Sequence, residues 1–94
     1  MLGKIPILLE KISEKDMDKQ ILRVAIIAEL DAINLYEQMA AMTKNEDLKR
    51  VLLDVAKEEK THVGEFLELL LRIDPEQKKE LEEGKEEIEE LLEK

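Results

Sequence analysis

The chain has no cysteine and no tryptophan, and only two aromatic residues, Tyr36 and Phe66. Without cysteine it has neither a disulfide framework nor a thiolate metal site. Basic residues are also short: 15 Lys and Arg stand against 24 Asp and Glu, a net charge of -9. That balance argues against nucleic acid as a partner, because phosphate binding needs a basic surface. It suits a cation. No apolar run approaches the roughly 18 residues that a membrane span needs. The opening "MLGKIPILLEKIS" has a short apolar run interrupted by Pro6 and lacks the longer apolar region and small-residue cleavage site of a signal peptide. A soluble, intracellular protein is therefore the expectation. At 94 residues there is room for one domain. Abundant Glu and Lys with no cysteine hint at a thermophilic source.

What is present is helical periodicity, with nothing that reads as a strand. Ser13 with Asp16 three positions on resembles a capping box and opens a helix predicted over 16–43. "TKNED" reads as a tight turn, with Asn45 capping a second helix over 46–73. Asp74-Pro75-Glu76-Gln77 is a third start signal: a cap, a proline in the first helical position, and an amide at the capping-box position. The helix predicted over 75–93 is very polar, with Leu81, Ile88, Leu91 and Leu92 as a thin apolar stripe, and Gly84 in its interior predicts fraying or a kink. Residues 1–15 read as an N-terminal arm or short helix. The expected fold is all-α, an antiparallel two-helix hairpin with a short C-terminal helix.

Such a hairpin cannot bury what the helices carry. The first helix has two stripes, one of Leu22, Ala25, Ile26, Ala32, Ile33, Tyr36 and Ala40, the other of Val24, Ile27, Ala28, Leu35 and Met42. A helix apolar on most sides is covered on most sides. The chain is expected to oligomerise.

Polar groups interrupt both apolar faces. Helical side chains advance about 100° per residue, and on the second helix Glu59 and His62 fall inside the arc of Leu48, Val51, Leu52, Val55, Phe66, Leu69 and Leu70, with Glu58 on its edge. On the first helix Glu29 is the centre of its stripe, between Leu22, Ala25, Ile33 and Ala40. Burying an unpaired carboxylate costs several kcal/mol, so something must compensate. Each site lies about midway along its helix, so an antiparallel hairpin brings Glu29, Glu59 and His62 to similar heights. Carboxylate-bridged di-iron bundles take a Glu from each of two helices and Glu-x-x-His from each of the other two. This chain holds half of that set in Glu29 and Glu59-Lys60-Thr61-His62. Two hairpins face to face would rebuild a four-helix bundle and complete four carboxylates and two imidazoles, so burial and chemistry call for the same oligomer. Glu-x-x-His alone arises often by chance in Glu-rich helices, where it is mostly an ion-paired face; Glu29 in a matching stripe raises its weight. Glu58 reads as an exposed edge residue, or one paired with Arg23 or a lysine. Tyr36 reads equally as a core tyrosine or as a group supporting the site. Asp31, in the second stripe of the first helix, reads as a metal-entry or interface group or, more simply, as a boundary residue salt-bridged across an interface.

With these residues in hand, "AELDAINLYE" and "EEKTHVGEF" resemble the encapsulated ferritins, half-length ferritin-like proteins packaged inside encapsulin shells. The resemblance covers roughly residues 18–92. It implies a two-helix ferritin-like core with a third helix, assembled as dimers in an annular decamer with a ferroxidase centre at the dimer interface. It places the metal ligands on Glu29, Glu59 and His62, with Glu59 bridging two irons. It matches Tyr36 to a tyrosine near the centre and Asp31 to an acidic residue on the path of incoming metal. Leu35 stands where a tryptophan can precede the tyrosine, and Ala28 where a second glutamate would serve that path. The end "EELLEK" lacks the family's small targeting tail, which leaves open a free cargo protein, a truncated chain, or a domain taken from a shell fusion.

The expected function is therefore a ferroxidase with a di-iron centre, Fe²⁺ and O₂ as reactants, the encapsulin shell as partner, and a cytoplasmic location inside the encapsulin nanocompartment feeding iron storage there. A rubrerythrin-like di-iron protein that reduces peroxide is the alternative enzyme, set back by the missing cysteine site. A metal-free helical assembly or adaptor module is the alternative of another class. It requires Glu29, Glu59 and His62 to be exposed or ion-paired.

Overall fold

The computed structural model describes residues 13–93. The expected N-terminal arm thus lies, as far as residue 12, outside the described residues. Three helices follow in order, α1 Glu14–Met42, α2 Glu46–Ile73 and α3 Pro75–Leu92. No strand occurs among the described residues, and the fold is all-α.

Local chemistry explains where each helix starts and stops. Ser13 is the N-cap of α1, but its hydroxyl does not cap the backbone; it donates to Asp16 Oδ2 at 3.2 Å. Thr43 turns extended (φ -88°, ψ 145°) and ends α1, and its hydroxyl oxygen accepts from Asn45 N at 3.1 Å. Asn45 Oδ1 then accepts from Leu48 N at 3.0 Å, satisfying one of the free donors at the start of α2. Asp74 alone separates α2 from α3. Its N–H donates to Leu70 O at 2.9 Å, and its Oδ1 accepts from Gln77 N at 3.1 Å. Pro75 sits in the first turn of α3, where its missing donor costs nothing.

The expected break at Gly84 is not there: α3 is continuous from Pro75 to Leu92. Glycine costs about 1 kcal/mol against alanine inside a helix. The Glu, Lys and Leu around it are strong helix formers, and Lys85 pairs with Glu89 one turn on, at 3.9 Å.

Helices α1 and α2 are antiparallel. Arg23 contacts Asp74, Glu29 contacts His62, and Glu37 contacts Lys60, so partners on one chain segment fall in number as those on the other rise. The seam is narrow. Ile33, Ala40, Ala56 and Leu70 are its buried apolar residues, and no large side chain among the described residues is fully buried. The two alanines let the backbones approach. Ile33 and Ala40 are seven positions apart, and Ala56 and Leu70 fourteen, the heptad spacing of helices in left-handed packing.

Much apolar surface is left over. Leu30, Leu35, Met42, Val51, Leu53 and Leu69 are all exposed, Met42 at 82%. Helix α3 contributes no buried residue at all. The radius of gyration is 16.8 Å, against about 12 Å for a compact domain of this length. No described helix is long and apolar enough to cross a membrane.

Candidate metal centre

Extending the seam spacing leads to the site. On α1, positions 22, 26, 29, 33, 36 and 40 alternate in steps of four and three; on α2, positions 56, 59, 63, 66 and 70 do the same. Every one of these is apolar or aromatic except Glu29 and Glu59. Two carboxylates thus occupy positions that packing would give to leucine. His62 precedes Val63 on the flank of the same seam.

The side chains converge. His62 Nδ1 lies 3.5 Å from Glu59 Oε2 within α2 and 3.6 Å from Glu29 Oε2 across the hairpin. One ligand atom from each of the three lies within 4.8 Å of the other two. The carboxylates are mostly covered, with side-chain exposures of 20% for Glu29 and 18% for Glu59, while His62 is 43% exposed. The site therefore opens outward on the imidazole side. Glu29 Oε2 is shut off from solvent and has no hydrogen-bond partner. Buried carboxylate oxygens are nearly always satisfied, and this one has a second carboxylate and an imidazole beside it. That donor set, two hard anionic oxygens and a borderline nitrogen, fits a divalent transition metal such as iron.

The remaining sequence candidates lie around this trio. Tyr36 is half-buried on α1, two turns beyond Glu29 and about 10 Å along the helix axis. Asp31 is half-buried on α1 and is not one of the three converging groups. Glu58 is exposed, as its edge position predicts. Arg23 is not its partner: the guanidinium donates instead to Asp74 Oδ2 at 3.1 Å. Nothing in the sequence announces that pair, 51 residues apart, because Asp74 reads there as a cap alone. Lys60, inside the Glu-x-x-His segment, reaches across to Glu37 at 3.4 Å.

A family profile described as EncFtn-like matches residues 7–90. The chain belongs to the EncFtn-like family. A crystal structure of the encapsulated ferritin domain from Pyrococcus furiosus matches this EncFtn-like chain with a TM-score of 0.83 at 56% identity, covering 97% of this chain and 95% of that one. The ferritin-like-encapsulin shell fusion protein of Pyrococcus furiosus is 65% identical over 72 residues, which is 77% of this chain and 21% of the fusion. The encapsulin nanocompartment cargo protein EncC of Myxococcus xanthus is 46% identical over 67 residues, 71% of this chain and 51% of that protein. The chain thus spans about a fifth of the first of these curated relatives and about half of the second. The resemblance drawn from "AELDAINLYE" and "EEKTHVGEF" holds at the level of family and fold.

Proposed function

We propose that this EncFtn-like chain, as a single ferritin-like domain, is a ferroxidase whose di-iron centre forms between two copies. The observation that carries the reading is the convergence of Glu29, Glu59 and His62 on one point, with a solvent-excluded carboxylate oxygen that lacks a hydrogen-bond partner. One hairpin supplies three ligands, and di-iron carboxylate centres use about six. The open flank at His62 and the exposed apolar faces of the hairpin favour a second copy as the source of the other three. Together, two copies provide four carboxylates and two imidazoles, and the annular decamer implied by the resemblance is built by repeating that dimer.

In this reading Fe²⁺ is the substrate. Glu29 and Glu59 hold it through hard oxygen donors, which favour the more highly charged product ion and so make loss of an electron more favourable. The two Fe²⁺ give up one electron each, and one O₂ takes both electrons with two protons from water and leaves as H₂O₂. His62 completes the coordination from the solvent side, and Tyr36 stands within the same seam as a group that supports the site. Asp31 serves on the path of incoming metal. The similarity to a shell fusion and to a shell cargo protein supports a place inside an encapsulin compartment, where the product is stored.

The test is oxidation of Fe²⁺ in air, followed by the rise of ferric absorbance. The chain should outpace buffer, and Glu59→Ala and His62→Ala should each slow it at least tenfold, the scale on which lost ligands and their supports act. Rates no better than buffer would remove the reading. A marked preference for H₂O₂ over O₂ as oxidant would replace it with peroxide reduction.

A further inference from the structure

We infer that the Arg23–Asp74 contact is a latch that sets the direction of α3 relative to the α1–α2 hairpin. Asp74 is the only buried charged residue among those described, and it is the entire connection between α2 and α3. Four bonds meet on it. Its N–H and C=O continue the two helix ladders, to Leu70 O at 2.9 Å and from Lys78 N at 3.2 Å. Its Oδ1 caps α3 through Gln77 N at 3.1 Å. The first three bonds are local and would persist through a range of angles between the helices. Only the fourth, from the Arg23 guanidinium to Oδ2 at 3.1 Å, ties the junction to α1.

Packing does not do this work instead. Helix α3 buries no residue, and Leu81, Ile88, Leu91 and Leu92 all remain exposed. A one-residue junction followed by proline restricts ψ of Asp74 but leaves φ soft. Hinges are a few such element-terminal residues. The latch also has a consequence. The apolar stripe of α3 and the uncovered faces of the hairpin belong to one chain and are kept apart by the direction of α3. A released α3 would sample positions across its own hairpin, over surface that another copy would otherwise cover.

The absence of cysteine makes a direct test clean. Spin labels on Lys57→Cys and Glu86→Cys report the α2–α3 distance; labels on Asn34→Cys and Lys57→Cys report the hairpin. Labelled chains are diluted into unlabelled ones, so that distances within one chain are read by pulsed electron resonance. Arg23→Met removes the guanidinium and keeps the apolar stem, while Asp74→Asn removes the charge and keeps an oxygen for the cap. Each should broaden the α2–α3 distribution about twofold, with new density at short distances, and leave the hairpin distribution and helical circular dichroism unchanged. An α2–α3 distribution as narrow as the wild type's in Arg23→Met would overturn the latch. So would equal broadening of the hairpin pair, which would make the contact a general support of the fold.

Discussion

Glu29→Met should stabilise the metal-free protein and abolish its stabilisation by metal. Methionine matches glutamate in length and flexibility, and it suits a seam lined by Ile33, Ala40 and Ala56. Two terms change in the metal-free state. A buried carboxylate oxygen without a hydrogen bond, which Glu29 Oε2 is, costs about 1–3 kcal/mol. Ligand atoms of Glu29 and Glu59 also lie within 4.8 Å, where two unit charges repel by about 3 kcal/mol at an effective dielectric constant near 20. Solvent reaching the site, together with the His62 ring at 3.5 and 3.6 Å from the two carboxylates, offsets most of that repulsion. A net gain of about 1–3 kcal/mol follows, and with about 4–8 °C per kcal/mol in a domain of this size Tm should rise by about 4 °C or more. Metal reverses the order. A ligand at about 1,000 times its Kd adds about 4.1 kcal/mol to whatever binds it, so wild type should overtake the variant once Zn²⁺ or anaerobic Fe²⁺ is present in that excess. The assay is thermal melting by circular dichroism at one fixed protein concentration, in chelator and in metal. If Glu29→Met melts at or below wild type in chelator, Glu29 is already satisfied without a cation, and the argument from its orphaned oxygen fails.

Two further outcomes follow from other parts of the chain. Gly84→Ala should raise stability by about 0.5–1 kcal/mol, because Gly84 is helical and a Cβ there meets nothing within 4 Å; a lowered Tm would mean that another chain approaches α3 closely at this point. Asp74 gives a pH dependence: the hydrogen bond from Gln77 N holds its carboxyl below the ordinary value, with Lys19 and Arg23 adding to the effect and burial opposing it. A depressed carboxylate contributes stability that is complete above the ordinary carboxylate range and lost as pH falls through the folded value, so the Tm difference between wild type and Asp74→Asn should shrink between about pH 6 and about pH 3, and a difference constant over that range would show that Asp74 acts through packing alone.

Some of this was legible in the residues and some was not, for reasons that differ by position. Asn45 and Asp74-Pro75 announce helix starts because capping is local chemistry within four residues, and both cap as read. Ser13 marks the right position, yet it spends its hydroxyl on Asp16 instead of the backbone. Gly84 was misleading because one unfavourable residue is outweighed by a run of good helix formers. Glu29, Glu59 and His62 stand out because a charged group amid leucines contradicts its own surroundings. The distances among them, and the stranded Glu29 oxygen, depend on the register of two helices and no periodicity contains them. Arg23–Asp74 was invisible for the same reason: it joins residues 51 apart, and only the antiparallel register brings them together.

We propose that iron sits between two copies on Glu29, Glu59 and His62. Native mass spectrometry during anaerobic Fe²⁺ titration reads metal count and copy number on the same particle. About one iron per chain, two per dimer, is expected, found on dimers and larger rings and missing from monomers. Glu59→Ala should lose both the iron and the shift toward dimers. A monomer that holds two irons tightly, or a Glu59→Ala chain with unchanged stoichiometry, would contradict the account.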